Sequence, residues 1–340
     1  MCYRYVKLRH CAIIKSLMKF YPLKFKPVFH YRIWGGERLK THFRKDYDEE
    51  SIGETWEISA VPGSETLVEN GVYAGKTINE LVTVYHEDFI GKSVYKKYKG
   101  EFPLLIKFID AKKPLSIQVH PNDQLAKERH NSFGKNEMWY IMPSFEDATI
   151  TVGFNQEIDK ESYQEHLKNN TLTDVLNEIK VSEGDAFYIP TGRIHAIGKG
   201  VVLAEIQQSS DVTYRIYDYD RKDAVTGKKR QLHTDHALDA IDFELQDSYH
   251  TDYDRKINQT NELINTPFFN SNFLQVQGNL KRDYSHLDSF VIYMCVKGNG
   301  TLINDGMSYK LGFGECLLLP AGLADVQLEA THMELLEIYM

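Results

Sequence analysis

One twelve-residue pattern occurs twice in the chain and limits its possible folds more than any other feature. Residues 184–195 read GDAFYIPTGRIH, and residues 314–325 read GECLLLPAGLAD. Each copy starts with Gly, continues to a Pro, reaches a second Gly two positions later and ends on a polar side chain. Glycine suits tight turns, and proline suits a strand end where no ladder donor is needed. The repeat therefore predicts a duplicated β unit.

The rest of the sequence favours short strands. Runs of β-branched and aromatic residues lie between clusters of Gly, Asn, Asp and Pro, which is typical of an all-β body. The predicted strands are PLLIKFIDA, LSIQVHP, EMWYIMP, ATITVGF, DAFYIP and VVLAEIQQ, then FLQVQG, SFVIYMCVKG, GTLIND, MSYKLGFGECLLLP and HMELLEIYM. We expect a mainly β fold built from two jelly-roll β-barrels with a few helical insertions.

Two segments have a helical pattern, at about residues 75–100 and 156–180. In the first, Thr77 and Glu80 match a capping box and are followed by apolar residues at helical spacing. In the second, Leu172, Val175, Leu176 and Ile179 repeat at the same spacing. We predict a metal-binding front domain at 18–240 that contains both helical insertions, and a second barrel at 241–340.

Composition excludes several classes of protein. The formal net charge is −8 and no basic stretch is sustained, which argues against nucleic acid or an anionic membrane as partner. The four cysteines, Cys2, Cys11, Cys295 and Cys316, form no CxxC pair, so we expect a reducing compartment, the cytoplasm. No apolar run has the length of a transmembrane helix. Residues 1–17 resemble neither a secretory signal nor the start of a domain, and we predict that they form a dispensable extension.

Four residues of the front half form a candidate metal site. Gln118 and His120 are two apart in SIQVHP, so on a strand both side chains point to one face. Glu137 begins another apolar run, and His195 ends the first copy of the repeat. Two imidazoles and two oxygens suit a borderline divalent ion such as zinc and leave room for a substrate oxygen.

The second copy of the repeat lacks this chemistry. Asp325 stands where the first copy has His195, and the strands before it contain no HxH or QxH pair. We therefore expect the second barrel to bind no metal.

These motifs resemble the cupin superfamily and, more specifically, type I mannose-6-phosphate isomerase in its short bacterial form. The resemblance covers roughly residues 20–340 and rests on RIWGGERL, IGETWEIS, PLLIKFIDAKKPLSIQVHPND, GKNEMWYIM, EGDAFYIPTGRIHAI and EIQQSSDVTYRIYDYDR. It implies interconversion of mannose 6-phosphate and fructose 6-phosphate through a cis-enediol, with one zinc ion per chain. It places Gln118, His120, Glu137 and His195 at zinc-binding positions, and Arg215 at the position of an active-site arginine.

Such a reaction needs a proton carrier and a group that stabilises negative charge. Glu205 and Lys107 interrupt apolar strand runs, so burial would disfavour their charged forms; the alternatives are that both point outward, or that Glu205 supports a ligand histidine. Arg215 could stabilise the oxyanion, unless it pairs with Asp218 or Asp220.

The substrate also needs contacts for its phosphate and its ring. The phosphate candidates are Lys107, Arg193 and Arg215, because each lies near a metal motif. Ser116 could add a hydroxyl, and Trp34 could shape the pocket. The expected partner is therefore a sugar phosphate, and the sequence leaves monomer and homodimer open. Two rival functions remain: a metal-binding cupin that binds a sugar or metabolite without catalysis, and a metal-dependent cupin dioxygenase.

Overall fold

The computed structural model describes residues 20–340, so the predicted extension at 1–17 lies outside the described residues. Strands dominate this range, as the sequence predicts. They are β1 (Phe25–Lys26), β2 (Val28–Gly36), β3 (Ile52–Ile58), β4 (Leu67–Val68), β5 (Leu104–Asp110), β6 (Ile117–Val119), β7 (Glu137–Ile141), β8 (Thr149–Phe154), β9 (Leu176–Lys180), β10 (Ala186–Ile189), β11 (His195–Ile197), β12 (Val202–Gln208), β13 (Tyr214–Tyr217), β14 (Asn261–Asn265), β15 (Asn270–Asp283), β16 (Val291–Asn304), β17 (Met307–Gly312), β18 (Cys316–Leu319) and β19 (Asp325–Tyr339).

Seven α-helices and two 3₁₀ turns are distributed among the strands of the described range. The helices are α1 (Arg38–Thr41), α2 (Ile78–Tyr85), α3 (Glu87–Ile90), α4 (Lys92–Lys97), α5 (Asp123–His130), α6 (Lys160–Lys168) and α7 (Thr234–Ala240), and the 3₁₀ turns are Gly71–Tyr73 and Leu172–Val175. The predicted capping box is present at the start of α2, where Thr77 and Glu80 each accept the other's backbone N–H. None of these helices has the length and apolar composition that a membrane span requires.

The front half of the molecule contains two large antiparallel sheets, and the short strands β1 and β4 form a separate antiparallel pair. One has six strands in the order β10-β7-β12-β5-β3-β2, and the other has five in the order β13-β6-β11-β8-β9. Alternate residues of the six-stranded sheet, such as Trp139 and Ile109, share a buried cluster with Ile150 and Val152 of the five-stranded sheet. The residues between them, such as Met138 and Tyr140, belong to the large core shared with the C-terminal strands. The interior between the two sheets is where the candidate site lies.

The C-terminal unit is a third sheet in the order β14-β15-β19-β16-β17, with β18 paired to β16. It packs on the front half through a shared core, in which Phe102 lies 4.7 Å from Phe290, measured between ring centroids. The predicted mainly β, duplicated cupin fold is confirmed, although the sheets are open rather than closed barrels.

The two copies of the repeat share the same strand–turn–strand order. Gly184 and Gly314 both have positive φ, at 92° and 78°, and each precedes a short strand, β10 or β18. Each strand ends at a proline whose carbonyl accepts a backbone N–H three residues later, at 3.1 Å in the first copy and 2.9 Å in the second. The next strand then begins at His195 or at Asp325. The predicted duplication is therefore confirmed at the level of the strand–turn–strand unit.

One part of the helical prediction is wrong. Residues 176–180 form β9, which pairs with β8 through partners such as Ile150 and Ile179. The apolar spacing here satisfies a helix locally, but pairing at the open edge of the five-stranded sheet overrides that preference. Helix α6 and the 3₁₀ turn account for the rest of the predicted segment.

Candidate active site

Two rows of side chains face each other across the interior of the front half. On the five-stranded sheet, Gln118 pairs with His195 on one side and with Arg215 on the other. On the six-stranded sheet, Lys107 pairs with Glu205 on one side and with Trp56 on the other. Cross-strand partners share a face of a sheet. The fold therefore places polar residues from distant parts of the sequence in one interior.

Three of the four predicted metal ligands lie together. His120, Glu137 and His195 each offer a ligand atom within 4.8 Å of the other two. The Nε2 of His120 is 3.3 Å from Glu137 Oε1, and the Nε2 of His195 is 3.9 Å from Glu137 Oε2. All three side chains are buried, with at most 1% of their surface exposed. This is the only such group of three among residues 20–340.

The two imidazoles are held with their Nε2 atoms toward Glu137. His120 Nδ1 is 2.9 Å from the Val212 carbonyl, and His195 Nδ1 is 2.8 Å from the Arg193 carbonyl. A carbonyl only accepts, so each Nδ1 carries the proton and each Nε2 keeps its lone pair. Burial lowers the pKa of His120 to about 3 and also lowers the pKa of His195, so both rings are neutral at physiological pH.

This donor set fits a divalent cation. Two neutral imidazoles and a carboxylate are ligands that zinc prefers, and the backbone carbonyls fix the ring orientations as outer-shell partners do in metal sites. Glu137 Oε2 is buried without a hydrogen-bond partner, as expected of an oxygen whose natural partner is a cation. Gln118 adds its side-chain amide, whose Nε2 is 3.3 Å from His195 Nε2. A flip of that amide would present its oxygen instead.

Lys135 is a functional candidate that the sequence analysis missed. Its Nζ donates to Glu137 Oε1 at 2.5 Å and lies 3.2 Å from His120 Nε2, and it also lines the cavity described below. Burial lowers the pKa of Lys135, but the carboxylates of Glu137 and Glu205 outweigh burial and raise it overall. The signal was available: Lys135 is two residues before Glu137 in KNE, so strand alternation places both on one face.

Glu205 and Lys107 form a buried pair beside this cluster. The two carboxylate oxygens of Glu205 accept from Lys107 Nζ and from Trp139 Nε1, both at 3.0 Å. Burial and the nearby Glu137 carboxylate raise the pKa of Glu205, against the attraction of Lys107. Both side chains face the interior, with 3% and 5% of their surface exposed, so the alternative that they point outward is wrong.

A second carboxylate, Glu54, builds the neighbouring wall and was also not predicted. Its oxygens accept two hydrogen bonds from Arg32, each at 2.9 Å, and one from Trp56 Nε1 at 2.7 Å. Burial raises the pKa of Glu54, but Arg32 and Lys107 outweigh it and hold the pKa well below its usual range. Glu54 is therefore a fixed negative charge rather than a proton carrier.

Arg215 makes no ion pair within the described part of the chain, so the predicted alternative pairing is wrong. Its Nη1 donates to the Gln231 carbonyl at 2.9 Å, and its Nε is buried without a partner. Asp218 pairs instead with Arg221 and Arg230. Burial and the Arg230 charge lower the pKa of Arg215 to about 10, so the guanidinium remains charged at neutral pH.

Several of these groups line one cavity of about 420 Å³. His120, Glu137 and His195 are not part of its lining, but Gln118 and Lys135, which contact the cluster, are. The predicted residues that line it are Trp34, Lys107, Ser116, Gln118, Glu205 and Arg215. The lining residues that the sequence analysis did not single out include Arg32, Glu54, Lys135, Asp211, Asp223 and Arg230. Arg193 is not part of the lining: its guanidinium packs 5.1 Å from the ring centre of Tyr249.

Comparison with known proteins identifies the family of this chain. Residues 23–142 match the model of the phosphomannose isomerase type I catalytic domain, and residues 258–340 match the mannose-6-phosphate isomerase cupin domain. The chain is 38% identical to mannose-6-phosphate isomerase ManA of Bacillus subtilis, over 91% of this chain and 96% of that protein. The chain belongs to the type I phosphomannose isomerase family. The predicted family and enzyme class are thereby confirmed.

Other family members show the same relationship. A mannose-6-phosphate isomerase of Streptococcus mutans is 35% identical over 92% of this chain and 98% of its own. The crystal structure of the Bacillus subtilis mannose 6-phosphate isomerase superposes with a TM-score of 0.86 at 33% identity, covering 94% of this chain and 100% of that one. A variant of the Salmonella typhimurium phosphomannose isomerase, at 15% identity and a TM-score of 0.75, shares the fold.

The second unit has a different residue at the position that corresponds to His195. Asp325 begins β19 at the place where His195 begins β11, but its side chain is exposed. Its backbone carbonyl accepts from the Asn304 amide. The duplicated architecture is thus present in both units, and the buried His–Glu–His cluster in the front one.

Proposed function

We propose that the protein interconverts mannose 6-phosphate and fructose 6-phosphate in the 420 Å³ cavity, with one zinc ion held by His120, Glu137, His195 and Gln118. The observation that carries the proposal is the buried His–Glu–His cluster beside a cavity lined by Glu205 and by Arg215, which forms no salt bridge within the described residues. When bound there, the ion supplies Lewis-acid polarisation of the sugar oxygens. The names of the relatives support the choice of substrate.

Glu205 is the residue that we assign to proton transfer between C1 and C2. In the aldose-to-ketose direction, its carboxylate takes the C2 proton, the C2–H electrons form the C1–C2 double bond, and the C1 carbonyl electrons move to O1. The O2 hydroxyl gives its proton to O1 as the C2 carbonyl forms, and C1 takes the proton back from Glu205. Lys107 and Trp139 each hold one oxygen of this carboxylate, which fixes its direction. Burial raises the pKa of Glu205, which makes its carboxylate a stronger base.

Arg215 is the residue that we assign to charge stabilisation. Negative charge develops on O1 and O2 of the cis-enediol, and a fixed guanidinium in a water-poor cavity stabilises it more than water does. Arg215 is suited to this role because it forms no salt bridge within residues 20–340, although the Asp218 carboxylate, which pairs with Arg221 and Arg230, offsets part of its charge.

The same side of the cavity suits the phosphate. Arg215 and Arg230 both line the cavity, and Arg221 and Arg230 share the single carboxylate of Asp218. Asp211 and Asp223 also line the cavity, so the assignment depends on the guanidinium donors of Arg215 and Arg230, which can bind a phosphate dianion through charge-assisted hydrogen bonds. Ser116 can add a hydroxyl donor from the lining.

The cytoplasm is the proposed compartment, and the proposed assembly is a monomer or a homodimer. The two described cysteines, Cys295 and Cys316, are buried and free, which suits a reducing environment. Sedimentation of the purified protein distinguishes the two assemblies.

The function is tested by incubating zinc-loaded protein with mannose 6-phosphate in deuterated water. We expect fructose 6-phosphate to form and deuterium to enter it at C1, the carbon that receives the transferred proton. His195→Ala should lose both metal and turnover. No conversion by protein that retains its metal would favour the sugar-binding cupin instead. Tightly bound iron together with oxygen uptake would favour the dioxygenase.

A further inference from the structure

A buried amide side chain lies between the two elements that carry most of the metal cluster. Asn136 is 2% exposed and stands between Lys135 and Glu137, so its side chain points away from the cavity face. Its Oδ1 accepts from the Thr191 backbone N–H and from the Tyr188 hydroxyl, both at 3.1 Å. Both donors belong to the segment that ends at His195. Asn136 therefore ties β7 to the turn before β11.

A second buried amide extends the connection to the other ligand segment. Gln208, at the end of β12 and 1% exposed, accepts from Asn136 Nδ2 at 2.7 Å and from the Asn136 backbone N–H at 3.0 Å. Its own Nε2 donates to Asp123 Oδ1 at 3.1 Å. Asp123 starts helix α5, three residues after His120.

The backbone completes the set of contacts. The N–H of Gly192, in the turn before β11, donates to the carbonyl of His120 at 3.0 Å. The segments that carry His120, Glu137 and His195, together with the strand that carries Glu205, are thus joined by hydrogen bonds through Asn136 and Gln208. None of these bonds involves a ligand atom of the cluster.

We propose that Asn136, supported by Gln208, is a positioning residue that sets the separation of His195 from Glu137 and thereby the affinity of the cluster for its metal. The inference rests on the proposed metal centre. An asparagine side chain is well suited here because it donates and accepts at once, whereas alanine would leave the Thr191 N–H unpaired and remove one of the two hydrogen bonds that Gln208 Oε1 accepts from residue 136. The turn would then hold His195 less firmly, and ligand atoms that are less preorganised bind the metal more weakly.

The experiment measures zinc affinity by competition with a chromogenic chelator for wild type, Asn136→Ala and Tyr188→Phe. We expect Asn136→Ala to weaken zinc about 10- to 100-fold, as loss of an outer-shell partner does in other zinc sites. Tyr188→Phe removes only one of the hydrogen bonds and should shift the affinity less, in the same direction. It also provides a measurement should the alanine variant fold poorly.

Asn261→Ala is the matched control. Asn261 is also a buried amide, 3% exposed, which accepts from the Lys256 N–H and donates to three backbone carbonyls in the C-terminal unit. It should lower the unfolding free energy as Asn136→Ala does, yet leave zinc affinity unchanged. Gln208→Ala should weaken zinc non-additively with Asn136→Ala, because the two share one network.

The outcomes separate this inference from the proposed function. If wild type binds no zinc, the metal centre itself is wrong. If wild type binds zinc and Asn136→Ala and Tyr188→Phe bind it equally well, the metal centre stands and the positioning role is overturned.

Discussion

At the scale of single residues, Arg215 and Arg193 show how similar side chains acquire different roles. Burial lowers the pKa of both guanidinium groups. Arg215 faces the cavity with an unpaired Nε, whereas Arg193 covers the ring of Tyr249 and donates to the Tyr188 carbonyl. We expect Arg215 to act on the substrate and Arg193 to support the fold.

The first prediction compares Arg215→Ala with Arg193→Ala. Arg215→Ala should keep its zinc and lose on the order of 100-fold or more in kcat, because a charge-stabilising donor is removed. Arg193→Ala should keep kcat within a few-fold of wild type. Steady-state kinetics with parallel metal analysis check both. Normal turnover by Arg215→Ala would contradict the proposed charge stabilisation, and a large loss in kcat/KM for Arg193→Ala would restore Arg193 as a substrate contact.

The second prediction concerns recognition of the phosphate by Arg230. Arg230→Gln should raise KM for mannose 6-phosphate about tenfold, a loss of roughly 1.4 kcal/mol, with little change in kcat. Its sequence neighbour Lys229 pairs with Asp220 at the exposed surface and does not line the cavity. Lys229→Gln should therefore leave KM unchanged. Equal KM values for the two variants would remove Arg230 from the phosphate site.

At the scale of elements, the repeated turn performs a different task in each unit. In the first copy the turn between β10 and β11 has Gly192 at a φ of 89°, and it delivers His195 to the cluster. In the second copy the corresponding Gly322 has no positive φ. The same sequence pattern thus occurs in two backbone conformations. The one with positive φ, at Gly192, lies beside the proposed metal site.

The third prediction compares Gly192→Ala with Gly322→Ala. Gly192→Ala forces an L side chain into a left-handed conformation, costs about 1–2 kcal/mol and should reduce zinc affinity by displacing His195. A Cβ at residue 322 would meet no atom closer than 3.2 Å, the ring of Phe20, so Gly322→Ala should be tolerated and keep its zinc. Urea unfolding and chelator competition measure the two effects. Equal losses in both variants would contradict this account of the turn.

At the scale of the whole molecule, buried histidines couple folding to pH. Burial lowers the pKa of His120 to about 3 and that of His30 to about 4, and it also lowers the pKa values of His195 and His233. In the unfolded chain these rings take up protons near pH 6.5, so between that pH and about 4 the unfolded state binds more protons. The contribution of these histidines to the free energy of unfolding is therefore fully present above about pH 6.5 and decreases as the pH falls.

The fourth prediction isolates one of these groups, His30, which lies outside the metal cluster. Its Nε2 is buried without a partner and its ring lies 4.2 Å from that of Trp56, while Arg32 and Lys107 further oppose its protonation. The unfolding free energy of metal-free wild type should decrease from pH 6.5 to pH 4. The unfolding free energy of His30→Gln should decrease less steeply over the same range. The two slopes should differ by less than about 1.4 kcal/mol per pH unit, because His30 is only half-buried. Parallel curves for the two proteins would contradict the assignment.

Much of the fold and part of the site could be predicted because they depend on local patterns. The strands follow from short β-branched and aromatic runs, and the capping box at Thr77 follows from two side chains three residues apart. Strand alternation predicts that Gln118 and His120 share a face. The helical prediction failed at residues 176–180, where pairing with β8 decided the structure. The spacing of apolar residues along the chain does not indicate which sheet edge is available for strand pairing.

The sequence by itself determined the duplicated β architecture, the residue types of the candidate metal ligands, and the presence of Asp325 where the first copy has His195. These features depend on period-two alternation and turn chemistry, which involve residues close together in the sequence. Tertiary structure alone decided the charges around the ligands. It brought Lys135 to Glu137, joined Glu205 to Lys107, assigned Asp218 to Arg221 and Arg230, and thereby left Arg215 unpaired. Which charges meet depends on strand register and sheet packing across long separations in sequence, and electrostatic energy depends on those distances and on burial.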